Sequence, residues 1–104
     1  MKYKIEIAKA ASLDLIGIVD YVAQSSTTIA RQYHDDIIAK FKLLETEPNI
    51  GRPHTVRRLR AKGYRELIVE SHIAHYIVDQ NKNQVNIVRV LHQSMNQERH
   101  LKNI

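Results

Sequence analysis

The sequence contains five arginines and two histidines whose side chains are suited to phosphodiester chemistry. Cleavage of RNA needs a base to take the 2′-hydroxyl proton, a cation to stabilise the charge on the phosphorane, and an acid for the leaving oxygen. The residues that could fill these roles are the cations Arg57, Arg58, Arg60, Arg65 and Arg89 and the proton carriers His75 and His92. The inventory of residue types is sufficient for such a reaction, and everything else depends on how the elements position these side chains.

The last third of the chain, residues 64–96, predicts three consecutive antiparallel strands. Runs rich in Ile, Val, Leu and Tyr are separated by polar breaks at 70–72 and at 79–84. The final strand, Gln84–His92, is apolar at both parities, so we expect it to lie inside the sheet. Arg89 interrupts this run, and a charge there must be paired or open to water. We therefore expect Arg89 either to form an ion pair with Glu66 or Glu70 or to line a polar groove.

The first half of the chain predicts one strand and two helices. Lys2–Ala8 alternates apolar and polar residues, as a strand with one wet face does. Apolar residues then recur at helical spacing in a first helix from about Leu13 to Gln24, with Ser12 as its N-cap. The polar residues 25–28 separate it from a second, longer helix that ends near Pro48.

The segment Asn49–Gly63 differs from the rest in its charge. It holds five of the sixteen Lys and Arg residues, together with turn-forming Gly and Pro. We expect a solvated basic loop whose guanidinium groups could pair with the carboxylates of an acidic peptide. We expect the core to be complete at Leu91, so that the polar tail Met95–Ile104, with few apolar residues, contributes little to the stability of the domain. The basic residues of the loop are Arg52, Arg57, Arg58, Arg60 and Lys62.

Taken together, the elements predict a single α+β domain over residues 1–104. Its sheet would have four mostly antiparallel strands, in the order strand, helix, helix, strand, strand, strand, with the helical hairpin covering one face. The net charge of +5 favours an anionic partner, and the absence of Cys fits a reducing compartment. No apolar run is long enough to span a bilayer, so we expect a cytoplasmic protein.

Histidine spacing argues against a metal site. His72 and His75 are three residues apart, which places them on opposite faces of a strand. None of the six histidines has a spacing that gathers two ligands with a carboxylate. We therefore expect neither a metal nor a cofactor.

Several short motifs give the sequence a family resemblance. The strand end 88–96 reads Val-Arg-Val-Leu-His-Gln-Ser-Met-Asn, with His92 followed by Met95 and Asn96. This ending is similar to the closing strand of RelE/ParE toxins of the ParE branch. Further matches in the same order are Asp14-Leu15 with Ile18 and Tyr21, and Leu44 with Pro48 and Gly51-Arg52.

The resemblance implies the toxin of a bacterial type II toxin–antitoxin pair. A ParE-like toxin would inhibit DNA gyrase by direct binding, without a cofactor. A cognate ParD-like antitoxin would neutralise it in a hetero-oligomeric complex. Residues expected to bind the antitoxin or the target are Arg52, Arg57, Arg58, Arg60, Arg65, Arg89, His92 and Met95.

Two alternatives stay open. A RelE-like, ribosome-dependent mRNA endonuclease would use Arg57, Arg60, Arg65, Arg89 and His92. RNA-cleaving relatives commonly carry an Arg where this chain has Ile73, and a Tyr near the C-terminus, whereas no Tyr follows Tyr76 here. This departure favours binding over catalysis. Because a single His without a partner acid in the sequence is rarely catalytic, we expect the His92 ring to hydrogen-bond a loop carbonyl. The third possibility is a non-toxic interaction module of the same fold.

Overall fold

The computed structural model describes residues 2–104 and confirms the α+β architecture. In chain order the elements are β1 (Lys4–Ile7), α1 (Lys9–Ala23), α2 (Thr27–Leu43), β2 (Arg52–Pro53), α3 (Arg57–Ala61), β3 (Arg65–Val69), β4 (His72–Asp79), β5 (Gln84–His92) and α4 (Gln97–His100). The predicted basic loop is therefore partly regular, because it contains β2 and α3. The tail contains the short helix α4.

The strands form one mixed sheet in the order β1-β5-β4-β3-β2. It has five strands where the sequence predicted four, because the two-residue strand β2 adds to the edge of β3. β1 runs parallel to β5, and the other pairs are antiparallel. The prediction that β5 lies inside the sheet is confirmed, since β1 and β4 flank it.

Helix α1 begins four residues before the predicted start. Its N-cap is Ala8, which offers no side-chain hydrogen bond, and the predicted cap Ser12 lies inside the helix. The segment from Lys9 to Ala11 has high helix propensity, and Ala11 is fully buried, so early helix formation outweighs the missing cap. The register that results places Asp14 one turn further into the helix than expected.

Helix α2 begins where the sequence predicted a break with capping residues. The Ser26 hydroxyl accepts a hydrogen bond from the Ile29 backbone N–H at 3.1 Å. The short link between α1 and α2 makes the predicted helical hairpin, which packs on one face of the sheet. Although α2 is the longest helix, no helix within residues 2–104 is long and apolar enough to cross a membrane.

The main core lies between the helical hairpin and the sheet. Tyr76 of β4 is fully buried there, and its hydroxyl accepts a hydrogen bond from the Gly51 backbone N–H at 2.9 Å. A Cβ at Gly51 would lie 2.7 Å from both the Tyr76 hydroxyl and the Glu66 carbonyl oxygen, so only glycine fits. Burial raises the pKa of Tyr76 and keeps the hydroxyl neutral.

A second, smaller core holds the tail against the sheet. Leu59 of α3, Leu91 of β5 and Leu101 after α4 are almost completely buried together. Arg58 ties the same elements by donating to the carbonyl oxygens of Leu101 at 2.7 Å and Ile104 at 2.8 Å. The expectation that the tail contributes little to the domain is therefore wrong.

Candidate functional site

A groove runs between α1 and the C-terminal end of β5. Its volume is about 750 Å³. α1 contributes Leu13, Gly17 and Tyr21 to one wall, β5 contributes the other wall, and Met95 lies in the loop that follows β5. The groove thus gathers residues from both ends of the chain.

The α1 wall of the groove is apolar and uncovered. Leu13 is 58% exposed and Tyr21 is 74% exposed, so two large apolar side chains are open to solvent on the same helix face. Gly17 lies one turn from each of them, and a Cβ built there meets no atom within 4 Å. Because these residues recur every four positions, they form a continuous apolar strip with a gap at its centre.

Asp14 and Arg89 close one end of the groove with an ion pair. Arg89 donates to Asp14 from Nε at 2.8 Å and from Nη2 at 3.0 Å. The Val90 backbone N–H also donates to Asp14, at 2.9 Å. β1 ends opposite Ile87, so the Asp14 carboxylate takes the place of a neighbouring strand along the free edge of β5.

The ion pair corrects one of the two expectations for Arg89. Its partner is Asp14 and not Glu66 or Glu70. The other expectation was that Arg89 lines a polar groove. Arg89 does line a groove, since its side chain is partly exposed there, but the walls of this groove are mostly apolar. The hydrogen bonds that Arg89 donates to the Asp14 carboxylate raise the pKa of Arg89, so the guanidinium is charged at every physiological pH.

His92 shapes the turn that carries Met95. Its Nδ1 atom accepts a hydrogen bond from the Ser94 backbone N–H at 3.0 Å and lies 2.7 Å from the Ser94 hydroxyl. The ring therefore fixes the turn after β5, as the sequence suggested. Its partner is Ser94, however, and not the loop carbonyl that was expected.

Tyr33 and His72 lie beside His92 at the floor of the groove. The Tyr33 hydroxyl is 2.6 Å from His72 Nδ1 and accepts from the Ser71 backbone N–H at 3.3 Å. The rings of His72 and His92 meet edge to face with centroids 5.0 Å apart. Burial, and then the neighbouring His92, lower the pKa of His72, so the His72 ring is neutral near pH 7.

A chain of buried hydrogen bonds joins the opposite face of β4 to the tail. The Val56 backbone N–H donates to His54 Nδ1 at 3.0 Å, so His54 carries its proton on Nε2. That proton points to His75 Nδ1 at 2.8 Å, and His75 Nε2 in turn lies 2.8 Å from the Gln97 Oε1 atom. Burial lowers the pKa of both histidines, so the chain consists of neutral rings with one fixed direction of donation.

Gln97 connects this series of hydrogen bonds to the groove. Its side-chain amide donates to the carbonyl oxygens of His92 at 2.8 Å and of Met95 at 2.9 Å. Hydrogen bonds of the Gln97 side chain and of the His92 ring therefore both stabilise the turn that contains Met95. None of these contacts was visible in the local sequence pattern.

Three buried residues come together as candidate metal ligands: His54, Glu66 and His75, with donor atoms within 4.8 Å of one another. The argument that no two histidines gather with a carboxylate is therefore wrong, because it considered only local spacing. Ligation through His54 Nε2 would put the ring proton on Nδ1, facing the Val56 N–H donor. Glu66 is already satisfied by Arg52 and by two groups of Thr55. This donor set does not fit a metal ion.

Most of the predicted basic site residues are engaged in internal contacts. Arg52 pairs with Glu66 at 3.2 Å, and Arg60 donates to the His54 carbonyl oxygen at 2.9 Å. Arg65 donates to the Gly51 carbonyl oxygen at 2.7 Å. Arg58 holds the tail, as described above, and Arg57 makes no side-chain hydrogen bond within residues 2–104.

The predicted site residues are only partly brought together. Arg89, His92 and Met95 line the groove. Of the five residues named for RNA cleavage, Arg57, Arg60 and Arg65 do not line it, so the groove gathers only Arg89 and His92 of this set. Sequence reasoning missed Tyr33 and His72 of the groove, although the histidine at a predicted turn was a weak signal.

Comparisons with known proteins agree on one family. Residues 5–97 match the family described as ParE toxin of type II toxin-antitoxin system, parDE. The chain is similar to Toxin ParE1 of Caulobacter vibrioides, with 35% identity over 96 residues that cover 91% of this chain and 94% of the relative.

Solved structures give the same fold. A chain of the chromosomal ParDE toxin–antitoxin system from P. aeruginosa superposes with a TM-score of 0.71 at 25% identity, over 88% of this chain and 96% of the other. A chain of the toxin–antitoxin complex RelBE2 from Mycobacterium tuberculosis superposes with a TM-score of 0.61 at 23% identity, over 88% and 99%. The second likeness is one of fold alone.

Proposed function

This chain belongs to the ParE toxin family of type II toxin–antitoxin systems, and we propose from this membership that it inhibits DNA gyrase by direct binding. A cognate ParD-like antitoxin neutralises it by forming a hetero-oligomer in the cytoplasm. The observation that carries the proposal is the uncovered apolar groove between α1 and the end of β5.

The groove has the chemistry of a protein-binding site. Exposed Leu13 and Tyr21 lose contact with water favourably when a partner covers them, and Tyr is among the residues that dominate binding energy at interfaces. The guanidinium of Arg89, which lines the groove, is already paired with the Asp14 carboxylate. A partner segment therefore needs apolar side chains at helical or alternating spacing rather than a matching charge.

The contacts of the polar residues favour binding over catalysis. Arg89 uses both Nε and Nη2 on Asp14, and His92 uses Nδ1 on the Ser94 turn. A reaction centre would need an acid, a base and a cation converging on one position within about 3 Å of the reacting atoms. Of the arginines named for RNA cleavage, Arg60 and Arg65 donate to carbonyl oxygens outside the groove, which supports a toxin that acts without chemistry of its own.

Neutralisation follows from the same geometry. An antitoxin segment that fills the groove covers Leu13, Tyr21 and Met95 together. Gyrase and the antitoxin would then compete for one surface. A role for Met95 in this contact is supported by the hydrogen bonds of His92 and Gln97, which hold its turn against the end of β5.

The proposal is tested by running two assays on the same purified toxin. We expect loss of DNA supercoiling by gyrase in proportion to toxin concentration, restored by adding the antitoxin. We expect no cleavage of mRNA on programmed ribosomes. Ribosome-dependent cleavage without inhibition of gyrase would overturn the proposal in favour of the RelE-like activity. Absence of both effects, together with normal growth of cells that express the soluble protein, would identify a non-toxic interaction module.

A further inference from the structure

Two basic segments, residues 52–62 and 96–104, lie against each other. The second core joins them through Leu59 and Leu101. Arg58 spans the junction with its two hydrogen bonds to the tail. A cleft of about 420 Å³ lies at this junction and is lined by Arg58, Asn96, Glu98, Arg99 and Lys102.

These two segments hold the whole positive excess of the chain. They contain seven of the sixteen Lys and Arg residues but one of the eleven Asp and Glu residues, Glu98. Their net charge is +6, and the remaining residues sum to −1, which together give the +5 of the chain. The fold therefore brings together positive charge that the linear sequence divides between two segments.

Four of the cations are free to bind a partner. Arg57, Lys62, Arg99 and Lys102 are exposed. Within residues 2–104 their side chains make no hydrogen bond or ion pair, whereas Arg52 is neutralised by Glu66 and Arg58 and Arg60 are committed to carbonyl oxygens. We call these four residues the basic surface.

The basic surface lacks what a protein partner would need. None of the large exposed apolar side chains of the molecule lies in 52–62 or 96–104, because Leu59 and Leu101 are buried. Interfaces between proteins depend on apolar or aromatic anchors at their centre, and charges at the rim contribute little affinity. A phosphate backbone requires only cations placed along a surface, since release of condensed counterions drives the binding.

We propose that the basic surface binds the phosphate backbone of duplex DNA without regard to sequence. The choice of DNA over RNA rests on the proposed function, because gyrase acts on DNA and a toxin bound to it would lie beside that duplex. The apolar groove and the basic surface then bind different partners. The groove recognises protein, and the basic surface holds the nucleic acid on which that protein acts.

The test compares two variants that lose the same number of charges. The first carries Arg57→Gln, Lys62→Gln, Arg99→Gln and Lys102→Gln. The matched control carries Lys9→Gln, Arg31→Gln, Lys42→Gln and Lys82→Gln, whose side chains are exposed and lie outside the two basic segments. Affinity for a short labelled duplex is measured by fluorescence anisotropy at several salt concentrations. A supercoiling assay on each protein runs in parallel.

We expect the first variant to bind DNA about tenfold more weakly or worse, and the slope of log K against log salt to decrease by about 3–4, since each lost phosphate contact removes about 0.9. The control variant should stay within about threefold of the wild type. Equal losses in both variants would overturn the inference, because net charge and not the basic surface would then explain binding. Tighter binding to an RNA hairpin of equal length would overturn it too.

Two further outcomes separate this inference from the proposed function. Wild-type toxin that inhibits gyrase but does not bind duplex DNA would overturn the inference and leave the proposed function intact. A first variant that keeps its DNA affinity but loses affinity for the antitoxin would show that the basic surface binds an acidic peptide instead. DNA binding that depends on the four residues, in a toxin that leaves gyrase active, would support the inference and contradict the proposed function.

Discussion

Leu101→Ala tests whether the tail is part of the folded core. Leu101 is fully buried against Leu59 and Leu91, so truncation to Ala removes apolar contacts and leaves a cavity. Substitutions of buried Leu by Ala cost about 2–5 kcal/mol. The second core is small and α4 is short, so the site can partly close around the cavity, and we expect a loss of about 2–3 kcal/mol in the free energy of unfolding.

Urea denaturation of the purified variant measures this loss directly, with Met95→Ala as the control. Met95 lies in the same tail but is 38% exposed, so its truncation should cost about 0.5 kcal/mol or less. A chain that ends at Ser94 should lose more than Leu101→Ala, because it also loses the hydrogen bonds of Gln97 to His75 and to the turn. Equal stability of Leu101→Ala and Met95→Ala would refute the assignment of the tail to the core.

Two other predictions concern charge. Asp14→Asn removes the carboxylate that pairs with the Arg89 guanidinium, which is 24% exposed, and we expect it to cost about 1–3 kcal/mol in urea denaturation. Asp20→Asn on the exposed side of α1 should cost little, and equal effects would contradict the role of the ion pair. Stability should decrease as pH falls below about 6.5, because unfolded histidines bind protons there and three folded ones resist them. The three are His54, His72 and His75, whose pKa values burial lowers, and a flat stability profile between neutral and acidic pH would contradict their neutral state.

The order of the main elements was predictable because their patterns are local. A polar break followed by a helical apolar periodicity predicts an N-cap, and Ser26 does cap α2. The run of apolar residues on both faces of β5 predicts an interior strand, which the sheet order confirms. β2 has two residues, which is too short for an alternating apolar and polar pattern to appear in the sequence. Its two residues pair with β3 because Gly51 allows the backbone to approach Tyr76 closely.

The site was less predictable because its contacts join distant parts of the chain. Asp14 meets Arg89 across 75 residues, and this depends on β1 ending before β5 does. The second core combines one leucine from each of three segments, and a single leucine among polar residues gives no periodicity. His54 and His75 likewise become neighbours only when β2 and β4 fold onto β3.

Gly17→Leu, measured for its affinity to the antitoxin, tests the groove most directly. A Cβ at Gly17 meets no atom within 4 Å, and replacing a glycine inside a helix raises the helix propensity, so the free toxin should gain roughly 0.5–1 kcal/mol of stability. The introduced leucine side chain occupies the groove, so calorimetry should show antitoxin binding weakened by about tenfold or more, which corresponds to about 1.4 kcal/mol. Gly17→Ala should gain the stability without filling the groove. A Gly17→Leu toxin that binds the antitoxin as tightly as the wild type would contradict the groove as the partner site.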